Sequence, residues 1–239
     1  MMPTRAMVLA AGRGTRLRPV TDTLPKPLVA VAGETLIDRI LDRLAEDGVA
    51  DVVVNLHHLA DRLAVHLAGR SSPRITLSRE DVLLETGGGV RHALPLLGAA
   101  PFFVVNGDVL WRNGKRSALE RMAAAWDDAE MDALVLLQRT VSAVGYDGNG
   151  DFMLTQGGRV RRPDAGEIPP YLFAGLQILH PRLFADTPEG PFSLARLYDR
   201  AAAAGRLGGI VHDGEWYHIG TPEALHEAEE VLRHARMWF

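Results

Sequence analysis

The chain has 239 residues, no cysteine, and a formal net charge of −4 from 26 basic and 30 acidic side chains. That length suits one large domain or two small ones. The missing cysteines exclude disulfides, thiolate metal sites and thiol catalysis. The acidic balance argues against a broad nucleic-acid-binding surface, and no uncharged apolar run reaches the about 18 residues of a membrane span. Residues 1–5 lead straight into an apolar segment without the h-region of a secretory signal, so a reducing cytoplasm is the expected location.

In chain order, residues 6–11 read as a buried strand. Residues 35–47 read as a helix with Leu36, Ile37, Ile40, Leu41 and Leu44 on one face. Strands are predicted at 51–56 and 74–78, with a helix over 59–68 between them. A helix over 90–97 follows Gly87-Gly88-Gly89, and a strand at 101–106 ends at Gly107-Asp108. Next come a helix over 117–125 and a strand at 132–137. This alternation of uninterrupted apolar strands with amphipathic helices predicts an α/β fold, with a mostly parallel sheet covered on both faces. The rhythm loosens after residue 140. A small hairpin turns around Gly157-Gly158, joining 151–154 to 159–162. Strands at 171–179, 207–212 and 216–219 flank a helix over 193–204, and a closing helix spans 222–238 with Pro222 in its first turn. No repeat, low-complexity tract or linker interrupts the chain. It is therefore expected to form a single domain of two lobes, about 1–140 and about 141–239.

The segment Leu9-Ala10-Ala11-Gly12-Arg13-Gly14-Thr15-Arg16-Leu17-Arg18-Pro19 follows the first strand. Small residues and two glycines let a ligand approach the backbone, and successive amides can form an anion-binding concavity. Arg13, Arg16 and Arg18 add positive charge. Further on, Leu24-Pro25-Lys26-Pro27-Leu28 holds a lysine between two prolines that restrict its backbone. Only two of the 26 basic residues are lysines, Lys26 and Lys115. A compact ammonium on a fixed stem suits a polyphosphate. Taken separately, Gly12-x-Gly14 is also compatible with a plain strand–helix turn, and Lys26 with a solvated surface position. A dinucleotide fingerprint would need a third glycine where Leu17 stands and an acid at the end of the second strand, which instead reads Asn55-Leu56-His57-His58. The G-x-x-x-x-G-K-[ST] phosphate loop is absent.

The Leu9–Pro19 segment and Pro25-Lys26-Pro27-Leu28 together resemble the signature of the sugar-1-phosphate nucleotidylyltransferases. Further matches follow in order: Glu85-Thr86-Gly87-Gly88-Gly89, Asn106-Gly107-Asp108-Val109, Gly150-Asp151-Phe152, Ala174-Gly175 and Trp216-Tyr217-His218-Ile219-Gly220-Thr221. The resemblance covers residues 5 to about 230. It is most similar to the short uridylyltransferases that act on N-acetylmuramate 1-phosphate. It implies a Rossmann-like three-layer nucleotidyltransferase fold with a mixed, mostly parallel central sheet. It implies a reaction between a nucleoside triphosphate, UTP first, and a sugar 1-phosphate, with a mannose or heptose guanylyltransferase as the alternative. It further implies that Ala11, Gly12, Gly14, Thr15 and Arg16 cradle the triphosphate and that Lys26 touches the phosphates near the reacting centre. Gly88 and Glu85 would meet base, ribose or sugar hydroxyls, Asn106 hydroxyls, Asp151 the sugar, and Gly175 a closely approaching ligand.

Two polyanions brought together call for a divalent cation, Mg²⁺ with Mn²⁺ as the alternative. Asp108, just past a buried strand, is the candidate ligand. Relatives carry Trp-x-Asp-[Ile/Val]-Gly-Thr where this chain has His218. His218 either binds a metal softer than Mg²⁺, or acts through water or phosphate, or leaves Asp108 to hold Mg²⁺ largely with phosphate oxygens, or is structural. A degraded site would make the chain a nucleotide-sugar sensor. A nicotinamide dehydrogenase is disfavoured by the missing third glycine and acid. His57-His58, His66, His226 and His234 read as helix or surface residues. Arg161-Arg162 reads as a solvated hairpin end or a carboxylate-binding pair. Trp238-Phe239 and the oligomeric state are left open.

Overall fold

The computed structural model describes residues 2–236. The first strand, β1 (Arg5–Leu9), runs beside β4 (Asp51–Leu56) and β6 (Phe102–Asn106), parallel to both. Between β1 and β4 lie the one-turn helix α1 (Val20–Thr23), the two-residue strands β2 (Ala30–Val31) and β3 (Glu34–Thr35), and α2 (Leu36–Glu46). The helix α3 (Ala60–Leu67) leads into β5 (Arg74–Arg79), the parallel edge strand beside β4. Then come α4 (Glu85–Leu97), β7 (Val109–Arg112) after β6, α5 (Ala118–Ala125) and β8 (Ala133–Arg139). The hairpin β9 (Met153–Leu154) and β10 (Val160–Arg161) precedes β11 (Tyr171–Leu179), α6 (Ala195–Ala203), β12 (Leu207–Val211), β13 (Glu215–His218) and α7 (Pro222–Arg236).

Seven strands form the central sheet in the order β12-β8-β11-β6-β1-β4-β5. All neighbours run parallel except β11, which is antiparallel to both β6 and β8. The sheet is mixed and mostly parallel, as the strand pattern predicts. Alternation explains the layers. Met7, Phe102, Val104 and Val135 point to one face, where Val90 and Ala93 of α4 and Leu197 of α6 pack. Ala6, Val8, Phe103 and Leu134 point to the other, against Ile40 and Leu41 of α2, Leu63 of α3 and Met122 of α5. Both faces are covered, so the central strands β1, β4, β6 and β8 carry runs of consecutive apolar residues. On α2, Thr35 caps the helix by accepting from the Asp38 N–H at 3.2 Å. A third cluster joins Ala228 and Leu232 of α7 to Leu17, Leu110 and Ile219. No helix among the described residues is long and apolar enough to cross a membrane.

Two departures from the sequence reading have physical causes. First, α4 starts at Glu85 rather than residue 90, so Gly87, Gly88 and Gly89 lie inside the helix. Glycine disfavours helices by about 1 kcal/mol relative to alanine, which argues for a helix start after the triplet. Packing overrides that tendency. A Cβ on Gly87 would overlap the Phe192 ring, one on Gly88 the Gly190 carbonyl, and one on Gly89 would sit 2.8 Å from Glu80 Oε1. Second, residues 109–112 form β7, which pairs antiparallel with β13 outside the main sheet, Val109 opposite His218. Trp238-Phe239 lies outside the described residues.

Gly87→Ala therefore sets a helix-propensity gain of about 1 kcal/mol against overpacking that typically costs about 1–3 kcal/mol. The backbone carbonyl of Phe192 also stands 2.8 Å from the added carbon, so the expected net effect is destabilisation, read as a lower midpoint in urea. An unchanged or raised midpoint would show that the triplet is not a packing requirement.

Candidate active site

The parallel strands β1, β4 and β6 end on the same side of the sheet. There a cleft of about 370 Å³ opens, at the carboxyl ends where open α/β sheets receive ligands. One wall is the segment from Leu9 to Gly12, the other the start of α4 at Glu85 and Thr86. Asn106 and Asp108 form part of the floor beside Lys26.

The loop after β1 curls back on itself. Gly14 sits in the left-handed region at φ +60, with the Leu17 N–H donating to its carbonyl at 2.9 Å and the Thr21 hydroxyl at 2.8 Å. A Cβ there would stand 2.9 Å from Thr21 Cγ2 and 3.1 Å from Lys26 Cβ. Glycine at 14 thus brings the loop against the lysine segment. Gly12 faces open space. Thr15 and Arg16 lie in an exposed single turn (Thr15–Leu17).

Lys26 is almost buried. Its Nζ donates to Asp108 Oδ2 at 2.8 Å, with side-chain exposures of 11% and 28%. Burial pushes the Asp108 carboxyl up, but the Lys26 charge and hydrogen bond, aided by His218 and Arg16, hold it below its usual value. His218 comes in from β13. Its ring stacks on Trp216 with centroids 6.0 Å apart, and the space it fills is available only because residue 220 is glycine. Burial pushes the His218 pKa down, Asp108 pulls it up, and Lys26 and Arg16 lower it further. The net depression keeps the imidazole neutral at pH 7. The 3.4 Å contact between Arg16 Nη2 and His218 Nε2 then has the guanidinium donating to an unprotonated ring nitrogen.

The structure thus gathers Arg16, Lys26, Asp108 and His218 into one cluster. Ala11, Gly12, Glu85 and Asn106 line the adjoining cleft. Three other candidates are placed differently. Gly88 is buried inside α4, where an added Cβ would meet the Gly190 carbonyl. Gly175 has φ +81 at an irregularity of β11, and its missing side chain makes room for Val109 and Asn106. Asp151 Oδ2 accepts from the Phe173 N–H at 2.8 Å, fixing that irregular strand. Arg161 pairs with Glu167 through both terminal nitrogens, while Arg162 binds Asp199 and lies 4.5 Å from the Phe152 ring centre. Asn55, Thr86 and Ser193 also line the cleft, and the sequence reading missed all three roles. Asn55 carried a signal, a lone amide closing the apolar run Asp51–Leu56. Thr86 Oγ1 accepts from the Leu194 N–H at 2.9 Å, a contact between distant segments.

An open, mostly parallel sheet with a glycine-containing loop after its first strand and a polar cleft at its strand ends defines an α/β protein with a ligand cleft at the carboxyl edge of the sheet. More narrowly, the chain belongs to the nucleotidyl transferase family, which it matches over residues 5–234. It is 48% identical to an N-acetylmuramate alpha-1-phosphate uridylyltransferase of Caulobacter vibrioides, with 98% of each chain covered. Its identity to the protein of the same name from Neisseria meningitidis serogroup B is 35%, covering 95% of this chain and 97% of that one. A UDP-glucose pyrophosphorylase complexed with UDP-glucose superposes with a TM-score of 0.82 at 18% identity, over 98% of this chain and 100% of that one.

The Lys26–Asp108 contact predicts a directional titration. In Lys26→Met the carboxylate loses its nearest positive charge, so burial dominates and the Asp108 pKa rises above its wild-type value. In the wild type the attraction is fully present above the ordinary carboxylate range and is lost as pH falls through the depressed value. Carbon-detected NMR titration of the aspartates checks this. A signal for Asp108 that does not move upward in the variant would show that Lys26 does not set its charge.

Proposed function

We propose that this chain transfers a uridylyl group from UTP to N-acetylmuramate α-1-phosphate, giving UDP-N-acetylmuramate and pyrophosphate. A phosphate oxygen of the sugar 1-phosphate attacks the α-phosphorus, and the bond from that phosphorus to the bridging oxygen of the β-phosphate breaks. No covalent enzyme intermediate is required. The protein supplies positioning and charge. The observation that carries this reading is the convergence of Arg16, Lys26 and Asp108 at the mouth of a cleft whose wall includes the open backbone of Gly12. The 48% identity over 98% of both chains supplies the substrate pair.

In this reading the amides of Ala11, Gly12, Gly14 and Thr15 cradle the triphosphate. Arg16 faces the β- and γ-phosphates, where leaving-group charge develops. Lys26 meets the phosphates near the reacting centre. Glu85 and Asn106 take hydroxyls of ribose or sugar, and Asp151 shapes the sugar side by holding β11 in place. The lobe of about 1–140 serves the nucleotide, and that of about 141–239 closes over the sugar. A reaction that consumes UTP places the protein in the cytoplasm.

A divalent cation fits the donor set. Among the described residues no cluster of three or more His, Cys, Asp or Glu side chains is built for a metal. Asp108 and a neutral His218 offer one carboxylate and one imidazole nitrogen, leaving further positions to phosphate oxygens and water, which is how Mg²⁺ is usually held. When bound, such an ion neutralises phosphate charge and polarises the phosphorus. An imidazole in place of an oxygen ligand shifts preference toward Mn²⁺.

The test is pyrophosphate release from the purified protein with each of the four common ribonucleoside triphosphates and a panel of sugar 1-phosphates. UTP with N-acetylmuramate α-1-phosphate is expected to give the highest kcat/KM. Turnover no greater than that of Asp108→Ala, with NDP-sugar binding retained, would instead define a sensor. For the metal, His218→Asp is expected to raise activity with Mg²⁺ relative to Mn²⁺. An unchanged ratio would remove His218 from the ligand set.

A further inference from the structure

Beneath the cleft lies a polar chain that the proposed mechanism does not use. Asn55 and Glu80 are 2% and 5% exposed. The Ala10 N–H donates to Asn55 Oδ1 at 2.7 Å, Asn55 Nδ2 donates to Glu80 Oε1 at 2.7 Å, and the Leu84 N–H donates to Glu80 Oε2 at 3.0 Å. Backbone contacts pin Glu80 itself: its N–H donates to Leu56 O at 2.8 Å, and its carbonyl meets His57 Nδ1 at 2.9 Å. One unbroken run of hydrogen bonds therefore joins Ala10, in the phosphate loop, to Leu84, immediately before Glu85 and Thr86. Its two ends are the two walls of the cleft.

A buried carboxylate and amide are costly unless fully bonded. The β4–β5 ladder does not require them, since six backbone pairs already hold those strands in register. The helix also makes way for them. A Cβ on Gly89 would stand 2.8 Å from Glu80 Oε1 and 3.0 Å from Asn55 Nδ2. The polarity of the run has a consequence of its own. The neutral amide faces the phosphate loop and the carboxylate faces the start of α4, so the loop is anchored without a negative charge against the anion it receives.

We propose that Asn55 and Glu80 are positioning residues that set the spacing between the phosphate-loop wall and the α4 wall, and thereby the affinity for the nucleoside triphosphate. The proposal rests on the reading that this cleft takes the nucleotide, but not on which base or sugar is used.

Glu80→Gln keeps the shape and turns one acceptor into a donor, leaving either Asn55 Nδ2 or the Leu84 N–H without a partner. The paired variant Asn55→Asp/Glu80→Gln restores every bond with reversed polarity. The introduced carboxylate accepts from the Ala10 N–H and from the introduced amide, whose oxygen accepts from the Leu84 N–H. Each variant is assayed with the triphosphate and sugar 1-phosphate that the wild type turns over. Triphosphate binding is also measured by calorimetry, so the result stands even if no sugar 1-phosphate is turned over. For Glu80→Gln, KM and Kd for the triphosphate should rise about tenfold, while KM for the sugar 1-phosphate stays within about twofold. The paired variant should regain the wild-type Tm, while the carboxylate it places against the phosphate loop keeps its triphosphate affinity below that of the wild type. Two results would overturn the proposal. One is a fall in Tm in Glu80→Gln with triphosphate affinity unchanged. The other is a KM for the sugar 1-phosphate that rises as far as the KM for the triphosphate.

Discussion

The contact between Lys26 and Asp108 is the constraint around which the site is organised. An ammonium that is nearly buried must have a partner, because an unpaired charge in that position would cost several kcal/mol. Asp108 is that partner, 82 residues away in sequence and 2.8 Å away in space. The pairing draws the Pro25–Pro27 segment down onto the end of β6. It also places a positive and a negative charge side by side at the mouth of the cleft, where one can meet phosphate and the other a cation. Gly14 then closes the loop from β1 against Thr21 and the base of Lys26.

Close packing, more than flexibility, accounts for the glycines around this site. Three consecutive glycines in α4 each face an atom that leaves no room for a side chain, and Gly175 yields space to Val109 and Asn106. Each is a place where two segments approach more closely than a Cβ allows. The effect on the site is indirect. The glycines let α4 and the segment around Phe192 come together, so that Thr86 bonds the Leu194 N–H and Ser193 joins the lining of the cleft.

His218 gives the site a character of its own. An aspartate in its place would add a second negative charge beside Asp108 and raise the cost of bringing in two phosphates without a cation. The imidazole removes that charge. Stacked on Trp216, partly desolvated and approached by Arg16, it stays neutral and offers a lone pair rather than a full charge. The cluster therefore carries two fixed cations, one carboxylate and one neutral nitrogen donor, a balance that favours an incoming polyanion.

The amino-acid sequence by itself determined the layer architecture, the glycine-containing loop after the first strand and the restricted backbone around Lys26. Strand alternation, helical periodicity and the prolines flanking a rare lysine are local features, and local sterics enforce them wherever the chain goes. The tertiary structure alone decided that Arg16 meets His218 across 202 residues, that Asn55 bonds Glu80, that Gly88 packs against Gly190, and that Arg161 and Arg162 are occupied by Glu167, Asp199 and Phe152. Periodicity tells which side of an element is turned inward. It does not tell which other element is waiting there, because strand order and loop closure are settled by the packing of the whole sheet, and polar side chains find their partners only once that packing exists.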